Sequence, residues 1–207
     1  MHSIILATGN KKKIEEIKEI LTDMSIELRT TLEFPNLKDV VEDKETFVEN
    51  ALKKAREVYA ATGMNALADD SGLEVDALDG RPGVYSARYA GDGHPYAENN
   101  KKVLGELAGI SDGKRTARFH CVLAYVGTDT EGKYFEKLFD GVCEGLISHS
   151  PIGDFGFGYD PIFFVPEYGK TMAQLDPEIK NRISHRGRAL EKFKEYLRAE
   201  QQAEGEK

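Results

Sequence analysis

The sequence predicts an α/β protein with a mixed β-sheet flanked by helices, and three observations carry that prediction. A short apolar run breaks at a glycine turn and passes straight into a helical pattern near the N-terminus. Two long β-branched and aromatic runs stand one short turn apart in the second half. Further amphipathic helical patterns occur without strict strand–helix alternation, so parallel and antiparallel pairs should share the sheet.

Each element has a local reason. Residues 3–7, SIILA, read as a short buried strand that TGN interrupts. From Lys11 onward Ile14, Ile17 and Leu21 recur at helical spacing. In TFVENALKKAREVYAATG, Thr46 and Glu49 have capping-box spacing, Ala51, Ala55, Val58 and Tyr59 line one face, and Gly63 stops the helix. After the turn at Pro82 and Gly83, YAENNKKVLGELAG reads as a short helix. TARFHCVLAYVG and KYFEKLFDGVCEG, joined by TDTEG, read as a long antiparallel hairpin. PIFFV reads as a buried strand. SHRGRALEKFKEYLRAE is a helix with Leu190, Phe193 and Leu197 inward, followed by a charged tail, about 198–207, expected to fray.

Composition narrows the function classes. A chain of 207 residues with 40% hydrophobic and 31% charged residues suits one soluble globular domain spanning 1–207. No apolar run approaches the ~20 residues that span a bilayer, so no membrane partner is expected. In MHSIILATGNKKK the basic residues follow the apolar stretch, the reverse of a secretory signal, and a cytoplasmic location is expected. Cys121 and Cys143 lack zinc spacing and read as reduced core thiols. The net charge of −8 argues against a nucleic-acid surface, while leaving room for a small anionic ligand where basic residues converge.

Four stretches can carry chemistry. In ATGNKKKIEEI a glycine turn feeds a helix whose N-terminal N–H groups favour a phosphate, with Lys13 one turn in; equally, Asn10 can simply cap the helix. LADDSG sets Asp69 and Asp70 side by side before Ser71, a turn-forming composition that also supplies paired carboxylates. In GFGYDP, glycines flank Phe157 and can leave its ring open to a planar ligand, or the aromatic turn can pack inward. KNRISHRGRAL gathers Lys180, Arg182, His185, Arg186 and Arg188, with Ser184 as a candidate N-cap; such a run is either an anion trap or a solvated face. Two decoys fail. Gly169, Lys170 and Thr171 would need a glycine where Phe164 stands to form a Walker loop, and Gly153, Gly156 and Gly158 lead into a strand rather than a helix.

Taken in order, TGNKKK, ADDSGLEVDALDGRPGVYSARYAG, GFGYDPIF and SHRGRAL resemble the inosine triphosphate pyrophosphatase family, also called the Ham1 or RdgB type, from Ile4 to about Leu197. The resemblance implies an elongated mixed sheet in two lobes with a central nucleotide-binding cleft, a homodimer, and a Mg²⁺ requirement. It implies hydrolysis of deaminated purine nucleoside triphosphates such as ITP, dITP and XTP to the monophosphate and pyrophosphate. Thr8, Gly9, Asn10 and Lys13, with Lys11 and Lys12 of the same run, match the family's triphosphate loop. Asp70 matches its general base and metal ligand, and Ser71 a substrate contact. Glu42 falls where the family has its other metal carboxylate, with Asp43 and Glu45 close enough in sequence to be confused with it. Phe157, Gly158, Tyr159 and Asp160 match the base-binding run, and Lys180, His185 and Arg186 further nucleotide contacts. Asp69 is then an outer metal contact or a buried acceptor. Two alternatives stand beside this reading: a pyrophosphatase for another modified or pyrimidine triphosphate, and a nucleotide-binding regulator that hydrolyses nothing.

Overall fold

In the computed structural model, which describes residues 2–205, the first strand and helix form where the periodicity places them, as β1 (His2–Leu6) and α1 (Lys11–Ile20). Asn10 has extended backbone angles, and its side chain accepts the N–H groups of Lys12 and Lys13 at 3.0 and 3.3 Å. The second helix, α2 (Phe47–Thr62), starts at Thr46, whose hydroxyl accepts the Glu49 N–H at 3.2 Å and donates to the Glu49 carboxylate at 2.8 Å. It ends at Gly63, whose φ of 68° is the left-handed conformation that closes a helix without a Cβ penalty.

The remaining elements are β2 (Ile26–Thr30), β3 (Ala66–Val75), α3 (Tyr96–Glu106), β4 (Thr116–Thr128), β5 (Tyr134–Ile147), β6 (Phe163–Val165), β7 (Lys170–Thr171), α4 (Pro177–Ile183) and α5 (His185–Gly205). The seven strands form one sheet in the order β2-β1-β3-β4-β5-β6-β7. β1 runs parallel to both β2 and β3, whereas β5–β6 and β6–β7 are antiparallel, so the sheet is mixed, as the sequence predicts. β4 and β5 are neighbours across the turn in which Asp129 N–H donates to the Lys133 carbonyl.

One expectation needs correction. PIFFV is strand only from Phe163, because Asp160–Ile162, with Pro161 inside, wind into a 3₁₀ turn. Lys180 and Arg182 ride on a separate seven-residue helix, α4, and Ser184, which closes it with extended backbone, stands immediately before His185, the first residue of α5. α5 is helical to Gly205, and of the tail that the sequence marks as charged, residues 206–207 lie outside the described residues.

The chain divides into two compact units. The first comprises the chain up to Asp70, Cys121–Gly141 and the chain from Arg186; its core packs Ile14 and Ile17 of α1 and Leu21, its C-cap, with Leu190, Phe193 and Leu197 of α5 around Ile4, Leu6, Leu67 and Leu123. The second comprises Ser71–His120 and Val142–His185, and gathers Leu73, Val103, Leu107, Phe119, Ile162 and Phe163, with the Phe119 and Phe163 rings 4.3 Å apart. Arg115 is buried there, its guanidinium donating to the carbonyls of Ile147, Leu107 and Ser148 at 2.8–2.9 Å. Such a cation is tolerated because every donor direction it uses meets an acceptor. Among the described residues no helix is long and apolar enough to cross a membrane.

Candidate functional site

In the first unit the loop between β1 and α1 is held through Thr8. Thr8 Oγ1 accepts the Asn10 N–H at 3.1 Å, and the Thr31 hydroxyl donates to the Thr8 carbonyl at 3.1 Å. A cavity of about 500 Å³ opens against this loop, lined by Thr8, Gly9, Asn10, Asp39, Glu42 and Lys54 among others. The three lysines that follow behave differently. Lys11 and Lys12 are exposed, and Lys12 pairs with Glu15 at 3.0 Å, whereas Lys13 reaches inward, its Nζ 2.6 Å from Asp69 Oδ1.

Asp69 is the hub of a buried charge network. Its side chain is fully buried, and besides Lys13 it meets Arg186, whose Nε donates to Oδ2 at 2.8 Å. Arg186 also donates from Nη1 to Glu16 Oε2 at 2.5 Å, and the Cys121 thiol lies 3.4 Å from Asp69 Oδ2. Burial by itself would push the Asp69 carboxyl up, but the charges of Arg186 and Lys13 outweigh it and hold the group well below the usual carboxylate range. Lys13 is raised: burial and the Arg186 charge would lower it, but the Asp69 and Asp70 charges and the hydrogen bond to Asp69 together outweigh them. Asp69 is thus a buried acceptor that orients two cations.

Asp70 has a different environment. Burial pushes its carboxyl up, the Lys54 and Lys13 charges oppose this, and Glu42 reinforces it. Lys54 Nζ donates to Asp70 Oδ1 at 2.8 Å and to Glu42 Oε1 at 2.6 Å, so one ammonium gathers both carboxylates. Of the three acidic residues between 42 and 45, Glu42 is the one joined to Asp70 in this way; Asp43 pairs with Lys53 at 2.8 Å and Glu45 is exposed. Among the described residues no three His, Cys, Asp or Glu side chains gather as a ready metal cage. Two carboxylates nevertheless fit Mg²⁺, a hard cation that keeps several waters and shares phosphate oxygens instead of demanding an all-protein shell.

In the second unit the GFGYDP stretch is built around Asp160. Its Oδ2 accepts the Phe157 N–H at 2.8 Å and the Lys180 ammonium at 2.7 Å, and both charged side chains are more than nine-tenths buried. Gly156, at φ +76°, lies so close that a Cβ there would strike the Asp160 carboxylate. Lys180 Nζ stands 5.2 Å from the centre of the Phe157 ring, and Tyr96 of α3 meets Phe157 edge-on at 6.2 Å. The Tyr159 side chain belongs to the core, its hydroxyl donating to the Ser86 carbonyl at 2.8 Å, while the Gly158 carbonyl accepts from Asn100 at 3.1 Å. His185 is buried with its ring stacked on Phe119 at 4.7 Å.

Residues 4–196 match the model of the Ham1 family. The chain belongs to the Ham1 family. Proteins named dITP/XTP pyrophosphatase from Listeria monocytogenes and Geobacter sulfurreducens are 49% and 50% identical to it over 197 residues, covering 95% of this chain and 95% and 97% of theirs. A HAM1 protein structure from Coxiella burnetii superposes with a TM-score of 0.86 at 46% identity, over 96% of this chain and 100% of the other. A nucleoside-triphosphatase/dITP/XTP pyrophosphatase from Mycobacterium abscessus gives 0.73 at 41% identity, over 92% and 98%.

Of the residues singled out in the sequence, Thr8 to Lys13, Glu42, Asp70 and Arg186 lie in the first unit of the Ham1 chain, and Ser71, Phe157 to Asp160, Lys180 and His185 in the second. Sequence reasoning missed Lys54, Glu16 and Tyr96. Lys54 did leave a signal: a lysine at position 54 interrupts the apolar face of Ala51, Ala55 and Val58, and a charge at such a position is kept only where it finds partners. Glu16 and Tyr96 left none, since each is an ordinary residue on a helix surface until its partner is known.

Proposed function

We propose that this Ham1 chain hydrolyses ITP, dITP, XTP and dXTP between the α and β phosphates, releasing the nucleoside monophosphate and pyrophosphate and so cleansing the nucleotide pool. The observation that carries this reading is near full-length identity of about one half to proteins named dITP/XTP pyrophosphatase. The first unit supplies chemistry suited to it. Glu42 and Asp70 would hold Mg²⁺, which when bound neutralises charge on the triphosphate and the pyrophosphate leaving group. Asp70 takes the proton of the attacking water, a role for which a carboxyl raised by burial is suited. Lys13, fixed by Asp69, and the start of α1 with Thr8, Gly9 and Asn10 stabilise the phosphate oxygens, Lys11 and Lys12 adding longer-range positive charge. Asp69 and Arg186 position this machinery.

For the purine, the proposed contacts are the Phe157 ring, the backbone around Gly158 and Tyr159, and the Asp160–Lys180 pair; Ser71 and His185 are proposed as further nucleotide contacts. A 6-keto purine presents an acceptor at position six and a donor at N1, the reverse of adenine, so a site with fixed donors leaves groups unpaired against adenine. Phe157→Ala should raise KM for every purine triphosphate alike by about 5- to 100-fold, the range a lost base stack covers, with kcat changed far less. Initial-rate kinetics on ITP, XTP and ATP check this; a KM rise confined to one base would mean that Phe157 reads substituents instead of stacking. The cytoplasmic location, the homodimer and the lack of a nucleic-acid partner belong to the same proposal. Buried cysteines outside any disulfide support a reducing compartment, and light scattering at several protein concentrations tests the dimer.

The decisive experiment follows the products. With ITP and Mg²⁺, early time points on anion-exchange chromatography should show IMP and pyrophosphate rising together, with no IDP. Accumulating IDP would place the cut at the γ phosphate and overturn the reading. A panel of modified and pyrimidine triphosphates, with binding measured alongside turnover, separates the proposed substrates from the alternatives.

A further inference from the structure

Helix α3 backs the aromatic stretch of the second unit through Tyr96 and Asn100, which stand four positions apart and so share a helix face. Tyr96 sets its ring edge-on to those of Phe157 and Tyr159 at 6.2 and 6.4 Å, and Asn100, which is buried, donates from Nδ2 to the Gly158 carbonyl at 3.1 Å. A carbonyl only accepts, so the Asn100 amide must turn its NH₂ toward Gly158. That orientation leaves Asn100 Oδ1 buried and, among the described residues, without a donor. An orphaned buried oxygen costs free energy, and a leucine would fill the same space without it. Packing does not account for an asparagine here; its bond to Gly158 does.

Phe157 to Asp160 form a turn closed by the Asp160 N–H, which donates to the Phe157 carbonyl at 3.2 Å. Gly158 has φ +67°, and Tyr159 has φ −93° and ψ 5°, the signature of a type II′ turn. In a trans peptide the C=O and N–H point to opposite sides. With its carbonyl held on Asn100, the Gly158–Tyr159 peptide aims the Tyr159 N–H away from Asn100, and among the described residues that N–H meets no acceptor. We infer that Asn100 is a positioning residue for base selection: it locks this peptide so that the Tyr159 N–H stays a fixed donor for the 6-keto oxygen of the purine. The inference rests on the reading of this backbone as a purine contact. Adenine brings a donor to the same place, and a donor facing a donor is refused only while neither can turn aside. Turning the peptide over would make the turn type I′ and force Tyr159 to positive φ, which a tyrosine resists, so the motion that Asn100 chiefly suppresses is a tilt of the peptide plane. Because its oxygen is enclosed and its NH₂ is spent on Gly158, Asn100 acts through that peptide and does not itself touch the base.

The test pairs kinetics with the Tyr159 amide resonance, both on the full chain. Asn100→Leu should lower the ITP to ATP ratio of kcat/KM by about 3- to 10-fold, the factor that one hydrogen bond of ordinary worth represents. The KM for ITP should rise while kcat on ITP stays nearly unchanged, since the phosphate chemistry is untouched. The melting temperature should stay within about 4 °C of wild type, because removal of the orphaned oxygen offsets the lost bond. Lys101→Met, at the adjacent exposed position, is the control and should leave the ratio unchanged. An unaltered ratio in Asn100→Leu, even with both substrates slowed, overturns the inference, as does an equal fall in Lys101→Met. If Asn100→Leu is poorly folded, Asn100→Ala removes the amide without adding bulk and should lower the ratio in the same way; an unaltered ratio there overturns the inference as well. With ¹⁵N-tyrosine label, saturating IMP should move the wild-type Tyr159 amide proton downfield and AMP should not. If IMP leaves that resonance in place, the reading of the turn as a purine contact fails and the inference with it. If the IMP shift appears in the wild type and is undiminished in Asn100→Leu, only the inference fails.

Discussion

Asp70→Asn should lose at least about 10²-fold in kcat on ITP, the usual scale for a positioned general base. The substitution keeps side-chain volume, and the new amide oxygen can still accept from Lys54, which retains Glu42 and the Asp69 carbonyl. The fold should therefore persist, and thermal melting measured beside the kinetics separates lost chemistry from lost structure. Near wild-type turnover at saturating Mg²⁺ would remove Asp70 from the catalytic role.

Its neighbour should respond in the opposite manner. Asp69→Asn removes the shared counter-charge of Lys13 and Arg186, both packed against it, and leaves Arg186 leaning on Glu16 for its acidic contact. Breaking a buried pair by deleting one member costs about 3–5 kcal/mol, because the remaining charge stays in a place that water does not reach. Urea unfolding should register a loss of that order. Asp43→Asn, which removes an exposed partner of Lys53 and Lys44, should change stability by no more than about 1 kcal/mol. If the two substitutions cost the same, the buried network does not hold the first unit together. Adjacent aspartates thus make opposite predictions, one chiefly in rate and the other chiefly in stability.

That division came from the resemblance to the family, and local spacing alone could not supply it. The adjacent pair Asp69 and Asp70 was visible as a motif, but which carboxylate is chemical and which structural depends on partners far off in sequence: Arg186 lies 117 positions from Asp69, and Lys54 sits 16 before Asp70. Local devices were legible because their causes are local. The Asn10 cap, the Thr46–Glu49 box, the Gly63 stop and the turn between β4 and β5 each need only a few consecutive residues. The short elements β2, β7 and α4 were not, since segments of two to seven residues carry too few side chains to establish a period. The aromatic stretch shows the same limit. Flanking glycines announced an unusual backbone at Phe157, but Tyr159, two residues on, turned inward to Ser86, and no spacing rule distinguishes the two rings.

Each compact unit carries one cysteine: Cys121 in the first and Cys143 in the second, both buried and outside any disulfide. Burial and the nearby Asp69 charge push the Cys121 thiol well above its ordinary range, so almost no thiolate forms while the unit is closed. Alkylating reagents attack the thiolate, and modification of Cys121 must therefore pass through an opened state in which the Asp69 network has come apart. Its labelling rate, divided by the rate for an unstructured thiol peptide, reads the opening equilibrium of the first unit, and Cys143 does the same for the second. The wild-type chain thus contains two native gauges of local stability, with no probe introduced, and a nucleotide that orders one unit more than the other would slow one thiol more than its counterpart.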